Sequence, residues 1–363
     1  MEVRKDGDPV YVTKSFLPPR EEFDAYVDKI WNAGQLTNRG PLLTEFEGKV
    51  ADYLGVDNFQ FVTNGTLALQ LAIDSLGIKS GEIITTPFSY VATASAILWQ
   101  RCRPVFVDIE KDTLNIDTSK IEASITSETK AILAVHVFGN ACDVEAIQDI
   151  ADKFSLKVIY DAAHAFGVKY KGKSLLDYGD VSIVSFHATK LFHTIEGGGI
   201  VSKDKKVHDT IDLRKRFGHN SDEHIELGIN AKASDFQAAM GLVNLNYINK
   251  IIESRGVAFD FYSQIKNVER PAIRKGVEYN NAYYPIIFSS EKSLLEAQTR
   301  LNQNNIFPRR YFFPSLNTIS YIAGDKPQSC PISEDISRRV LCIPLYYGID
   351  RDTLERVVGL LNE

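Results

Sequence analysis

Between residues 59 and 202 short β-rich runs alternate with helix-like segments, and this alternation constrains the fold more than any other feature of the chain. Strands separated by helices are the mark of a parallel or mostly parallel sheet covered on both faces. Seven runs stand out: Phe59–Val62, Ile83–Thr86, Pro104–Val107, Ala131–His136, Lys157–Asp161, Val181–Ser185 and Gly199–Ser202. Several are apolar at both parities, as strands buried on both faces must be. Thr66–Leu76 and Val144–Phe154, the latter behind Asp143 as N-cap, read as crossover helices.

A long helix is expected over Asp235–Phe259, with Gly241 its one breaker, leaving the first unit. Beyond it, a strand at Tyr283–Phe288, a helix at Lys292–Asn304, an aromatic, proline-bearing loop at Phe307–Tyr321 and a last helix at Asp352–Leu361 suit a smaller α/β unit. A chain of 363 residues is long enough for this division, which is placed as a large domain over 1–250, including the N-terminal segment, and a small one over 251–363.

Composition narrows the function. A net charge of −6 with no block of lysine or arginine argues against nucleic acid as a partner. No run of eighteen apolar residues exists to span a membrane, and the start, Met1 to Asp8, has no apolar stretch of the kind a secretory leader needs. Four cysteines (Cys102, Cys142, Cys330, Cys342) lie far apart with no metal-ligand spacing, which suits a reduced, cytoplasmic location and a site without metal.

Four motifs fall at successive strand ends, where ligand sites of open α/β sheets gather. Thr63-Asn64-Gly65-Thr66 joins an apolar strand to a helix, so glycine allows close backbone approach and the free N–H groups of the helix start form an anion site suited to phosphate. A plain capped helix start fits the same residues. Pro87-Phe88-Ser89-Tyr90 puts Tyr90 where its ring can lie on a planar cofactor, or pack in the core. Asp161-Ala162-Ala163-His164 ends a strand with a carboxylate able to pair with a protonated pyridine nitrogen, against the alternative of a structural cap; His164 is either a cofactor contact or packing.

Ser185-Phe186-His187-Ala188-Thr189-Lys190, followed by Glu196-Gly197-Gly198-Gly199, sets a lysine among Val184, Phe186, Leu191 and Phe192. A lysine in such an apolar segment is seldom just a solvated charge, because burial lowers the amine's pKa and makes it nucleophilic. Ser185 is placed to reach the same phosphate.

With Leu36-Thr-Asn-Arg-Gly-Pro41 and with Gly228-Ile-Asn230 and Ser234-Asp-Phe-Gln-Ala-Ala239, these motifs resemble the DegT/DnrJ/EryC1/StrS group of nucleotide-sugar aminotransferases over nearly the whole chain. The resemblance implies an α/β architecture of the aspartate aminotransferase type (fold type I), with a seven-stranded, mostly parallel sheet. It implies pyridoxal 5'-phosphate held by Lys190 as a Schiff base, Asp161 at the pyridine nitrogen and Tyr90 stacked on the ring. Gly65, Thr66 and Ser185 bind the phosphate on this view, and His164 is a cofactor contact. Asn230 reaches the phosphate of the neighbouring subunit, so a homodimer with shared active sites is expected. Where many relatives read Asn-Tyr-Arg this chain has Asn230-Ala231-Lys232, which puts any contact made by that tyrosine and arginine in question, since lysine does not reproduce a bidentate guanidinium.

Within the group, Phe186–Lys190, Asp161–Gly167 and Phe307-Pro308-Arg309-Arg310-Tyr311 look most like enzymes that aminate C4″ of a dTDP-4-keto-6-deoxyhexose with L-glutamate as donor, for surface-glycan biosynthesis. Amination at C3″, sugar dehydration and a regulatory cofactor-binding role are the alternatives. The resemblance weighs against dehydration, because the dehydratases carry histidine in place of the lysine. The segments Tyr311–Pro314 and Leu345–Tyr347 either line the sugar-nucleotide pocket or pack one unit on the other.

Overall fold

The computed structural model describes residues 8–324 and 328–363; Met1 to Gly7, most of the segment read above for a leader, lie outside it. All seven runs form strands of one sheet: β1 (Phe59–Val62), β2 (Gly81–Thr85), β3 (Cys102–Phe106), β4 (Thr129–Val135), β5 (Lys157–Asp161), β6 (Val181–Ser185) and β7 (Gly198–Ser202). Their spatial order is β1-β7-β6-β5-β4-β2-β3. Every neighbouring pair is parallel except that β7 runs antiparallel to both β6 and β1. The exception follows from its connection. The link between β6 and β7 holds no helix to carry the chain back across the sheet, so it returns beside β6, through a loop whose base is closed by the Phe186 N–H donating to the Gly197 carbonyl (2.8 Å). That loop carries Lys190.

Two apolar clusters cover the sheet, one on each face. Ile84, Ile132 and Val158 enter one with Phe46, Phe61 and Phe186; Ile83, Leu133 and Ile159 enter the other with Leu69 and Ile97. Adjacent strand residues thus go to opposite cores, which is why the runs read as continuously apolar.

Helices α1 (Arg20–Ala33), α2 (Pro41–Leu54), α3 (Gly65–Ser75), α4 (Val91–Trp99), α5 (Val144–Phe154) and α6 (Lys205–Arg214) surround the sheet. Asp143 caps α5 by accepting from the Ala146 N–H (3.1 Å), as read from the sequence. The long helix expected over 235–259 is instead two, α7 (Asp235–Leu245) and α8 (Ile248–Phe261), parted at Asn246-Tyr247 and not at Gly241. Burial explains the difference. Residues 238–244 of α7 are all buried, several in the core on α2, and the chain has to turn out of that core before a helix with a single buried stripe can continue.

The C-terminal residues build their own core around Tyr262, Ile286, Leu294, Leu341 and Val357. Here β8 (Tyr284–Ile287) pairs antiparallel with β9 (Val340–Ile343), flanked by α9 (Glu291–Gln303) and the last helix, Arg351–Asn362. The N-terminal segment joins this core: Val10–Tyr11 pairs parallel with Ile306–Phe307, and Val10 is buried there. Among the described residues no helix is long and apolar enough to cross a membrane.

Candidate active site

Because β1, β2, β4, β5 and β6 share one direction, the residues after each emerge at one edge, and there a cleft of about 270 Å3 opens. Its walls include Asn64, Gly65, Thr66, Tyr90, Asp161, His164, Ser185 and Lys190, so every cofactor-site residue expected from the sequence is brought together except Asn230.

The phosphate-type corner is built by backbone. Asn64 caps α3, its side chain accepting from the Leu67 N–H (2.9 Å), while the amides of Gly65 and Thr66 ahead of it have no carbonyl one turn back to bond. Ser185, at the end of β6, closes on this corner: a Cβ on Gly65 would lie 3.2 Å from the Ser185 Cβ. Gly198, in β7, passes so near that a Cβ there would meet the Asn64 carbonyl carbon at 2.6 Å and the Gly65 nitrogen at 2.8 Å.

Asp161 is buried at the end of β5. Burial raises its pKa, opposed by the Thr93 Oγ1–H (2.7 Å), the Ala163 N–H (3.1 Å) and the charge of Lys190. Thr93, on α4, is one turn past Tyr90, and it is the hydroxyl that holds the carboxylate. Tyr90 precedes α4 with its side chain largely exposed to the cleft mouth.

Lys190 is partly buried at the end of a tight turn in which its own N–H donates to the His187 carbonyl (2.8 Å). Burial draws its amine from 10.5 to about 8, against the pull of Asp161 and Tyr90. The Nζ donates to the Tyr283 hydroxyl (3.3 Å), whose ring lies 4.7 Å from that of His164. Burial holds His164 well below its usual pKa and hence neutral, and its Nδ1 finds no partner among the described residues. A buried ring nitrogen left in that state is a ready contact for a bound group.

Tyr283 comes from the segment leading into β8. Asn280 ties that segment to the strand-end loop, donating to the carbonyls of His164 and Phe166 (both 3.0 Å). Arg255 of α8 is buried with no carboxylate beside it among the described residues and donates instead to the carbonyls of Asn281 (3.0 Å) and Ala282; burial brings it to about 10.

Tyr311 and Phe312 line the cleft, whereas Leu345 and Tyr346 are buried in the C-terminal core and Tyr347 stands edge-on to Phe16, so the second aromatic segment packs and does not line. Tyr283 and Arg309 line the cleft and Thr93 bonds Asp161; the sequence named Arg309 within the Phe307–Tyr311 motif and Tyr283 as the start of a strand without giving either a site role, and did not name Thr93, because packing between distant parts of the chain sets their places. Asn230 is exposed, bridged to Arg216, and not among the residues that line this chain's own cleft.

Residues 19–362 match the family model of the DegT/DnrJ/EryC1/StrS aminotransferases. The chain belongs to this family. Among curated DegT/DnrJ/EryC1/StrS relatives it is 43% identical to a dTDP-4-amino-4,6-dideoxy-D-glucose transaminase of Shigella dysenteriae, over 98% of this chain and 99% of that one. It is 40% identical to an Escherichia coli protein of the same name, over 96% and 97%. A crystal structure of DesI in the presence of its TDP-sugar product superposes with a TM-score of 0.93 at 29% identity, covering 98% of this chain and 92% of that one. The α/β architecture is therefore that of the sugar aminotransferases, as the resemblance implied.

Proposed function

We propose that this aminotransferase moves the amino group of L-glutamate to C4″ of a dTDP-linked 4-keto-6-deoxyhexose, with pyridoxal 5'-phosphate as cofactor, giving a 4-amino-4,6-dideoxy sugar nucleotide for surface-glycan (lipopolysaccharide) biosynthesis in the cytoplasm. The observation that carries the reading is a lysine drawn to about 8 in the same cleft as a buried carboxylate. The donor set suits the cofactor: an anion corner of free amides and a serine hydroxyl, a carboxylate, a partnerless buried ring nitrogen on His164, and glycine where a side chain would fill the cradle.

When bound, pyridoxal phosphate supplies a carbonyl that takes the amino group from one substrate and yields it to the next. The amides of Gly65 and Thr66 and the Ser185 hydroxyl hold its phosphate, with Asn230 of a second subunit closing that corner. Asp161, ionised, keeps a proton on the pyridine nitrogen, and Tyr90 covers the ring. Lys190 would anchor the group through its Nζ. Its Nζ, with a substantial unprotonated share near pH 8, takes the α-proton of glutamate and in the second half-reaction delivers a proton to C4″ of the sugar. Glutamate leaves as 2-oxoglutarate, so the kinetics are ping-pong.

The names of the two relatives at 43% and 40% identity support the choice of sugar and carbon. Incubation with L-glutamate and a panel of dTDP- and UDP-linked 4-keto and 3-keto 6-deoxysugars tests it. The expected result is one 4-amino product from the dTDP-4-keto sugar, identified by mass and NMR, with equimolar 2-oxoglutarate. A 3-amino product, a dehydrated sugar or no turnover of any of them overturns it.

A further inference from the structure

We propose that Arg309 is the residue of this chain that grips the anionic group of a substrate in the cleft, a carboxylate or a phosphate, a role resting on the aminotransferase reading above. Both expected substrates are anions. Among the charged side chains lining the cleft, Asp161 and Glu196 are acids, and Lys190 is committed to the reacting atoms. Glu196 already faces His187 at 3.5 Å. The anion corner of Asn64, Gly65, Thr66 and Ser185 carries no cation at all, so it leaves Arg309 as the permanent positive charge this chain offers to a second anion.

The two neighbouring arginines of Phe307-Pro-Arg-Arg-Tyr311 are used differently. Arg310 is consumed by the fold: it pairs with Glu291 (2.7 Å), donates to the Arg338 carbonyl (3.0 Å) and lies 3.6 Å over the Phe313 ring. Arg309 forms no ion pair among the described residues, and its guanidinium stands 5.2 Å over the ring of Tyr311, a residue of the cleft wall. Its backbone is fixed at both ends, the Arg309 N–H donating to the Cys342 carbonyl (3.0 Å) and the Cys342 N–H to the Arg309 carbonyl (2.8 Å). A guanidinium on a pinned backbone, held against an aromatic wall and free of any carboxylate, is pre-set for a bidentate oxyanion.

Arg309→Gln and Arg309→Lys test this in the loaded enzyme, and because the side chain is exposed and the backbone bonds are untouched, both variants should fold. Two measurements separate the sources of the anion. Calorimetric binding of dTDP alone needs no turnover, and the rate of the glutamate half-reaction, followed by cofactor absorbance, needs no sugar. A dTDP affinity lowered tenfold or more in Arg309→Gln and partly restored in Arg309→Lys assigns the grip to the nucleotide phosphates. A tenfold rise in the glutamate concentration giving half-maximal rate, with dTDP binding unchanged, assigns it to the carboxylate. Neither value moving overturns the proposal. Failure of the parent reading has its own signature, a wild-type protein that makes no amino sugar, and leaves the dTDP binding comparison to decide on Arg309.

Discussion

At the scale of single residues, the Thr93 hydroxyl leads the groups that hold the Asp161 carboxylate ionised, ahead of the Ala163 N–H and the charge of Lys190. Burial pushes the carboxylate's pKa up, and the Thr93 Oγ1–H, at 2.7 Å, is the foremost group resisting that rise. Thr93→Val keeps the shape and removes the donor. A hydrogen bond to a charged group is worth about 1.5–3 kcal/mol, so the variant should lose about tenfold or more in kcat/KM near neutrality. The sign of the pH effect is fixed: the ionised form is the working one, its pKa rises further, and the acid limb of the pH–rate profile moves to higher pH. A profile superimposing on wild type contradicts the role. Thr93 was out of reach of sequence reading for the same reason that the site roles of Tyr283 and Arg309 were. Asp161, Ser185 and Lys190 were legible because each ends or follows a strand whose apolar run announces its own end, and strand ends of a parallel sheet converge. Thr93 meets Asp161 across 68 residues and Tyr283 meets Lys190 across 93, through packing that no local pattern records.

At the scale of elements, Gly241 in the middle of α7 sits where propensity alone asks for alanine by about 1 kcal/mol. Its reason is outside its own helix. A Cβ there would overlap the Phe46 ring of α2 and crowd the Thr194 methyl of the loop that carries Lys190. Gly241→Ala should therefore destabilise, by about 1–3 kcal/mol as overpacked cores do, measured as a lowered urea midpoint at unchanged m-value. A gain in stability would mean that α2 and α7 can part without cost. Here too lies the limit of what the sequence disclosed about the fold. The seven strands were legible because burial on both faces leaves an unbroken apolar signature, whereas Gly241 was marked as the weak point of one long helix that in fact breaks at Asn246-Tyr247. Glycine marks close approach as well as flexibility, and only the neighbouring helix tells which.

At the scale of the whole molecule, the proposed site uses one residue, Asn230, that does not line this chain's own cleft. Asn230 follows a two-strand hairpin (His219–Asn220 with Glu223–His224). Around it Phe217, Ile225, Ile229 and above all Leu227, 90% exposed, present apolar surface to solvent. Such surface on a folded chain is usually an interface. If Asn230 serves the cleft of a second copy, each site takes Lys190 from one subunit and Asn230 from the other, and the two variants Lys190→Ala and Asn230→Ala are complementary. Each homodimer has both sites defective. In a mixed dimer one site carries both lesions and the other carries none. Refolding equal amounts together gives half the dimers mixed, each with one working site of two, so activity should recover to about a quarter of wild type from two preparations near background, as two-fold symmetry requires. Activity that stays at the sum of the separate preparations places Asn230 in the cleft of its own chain or in none.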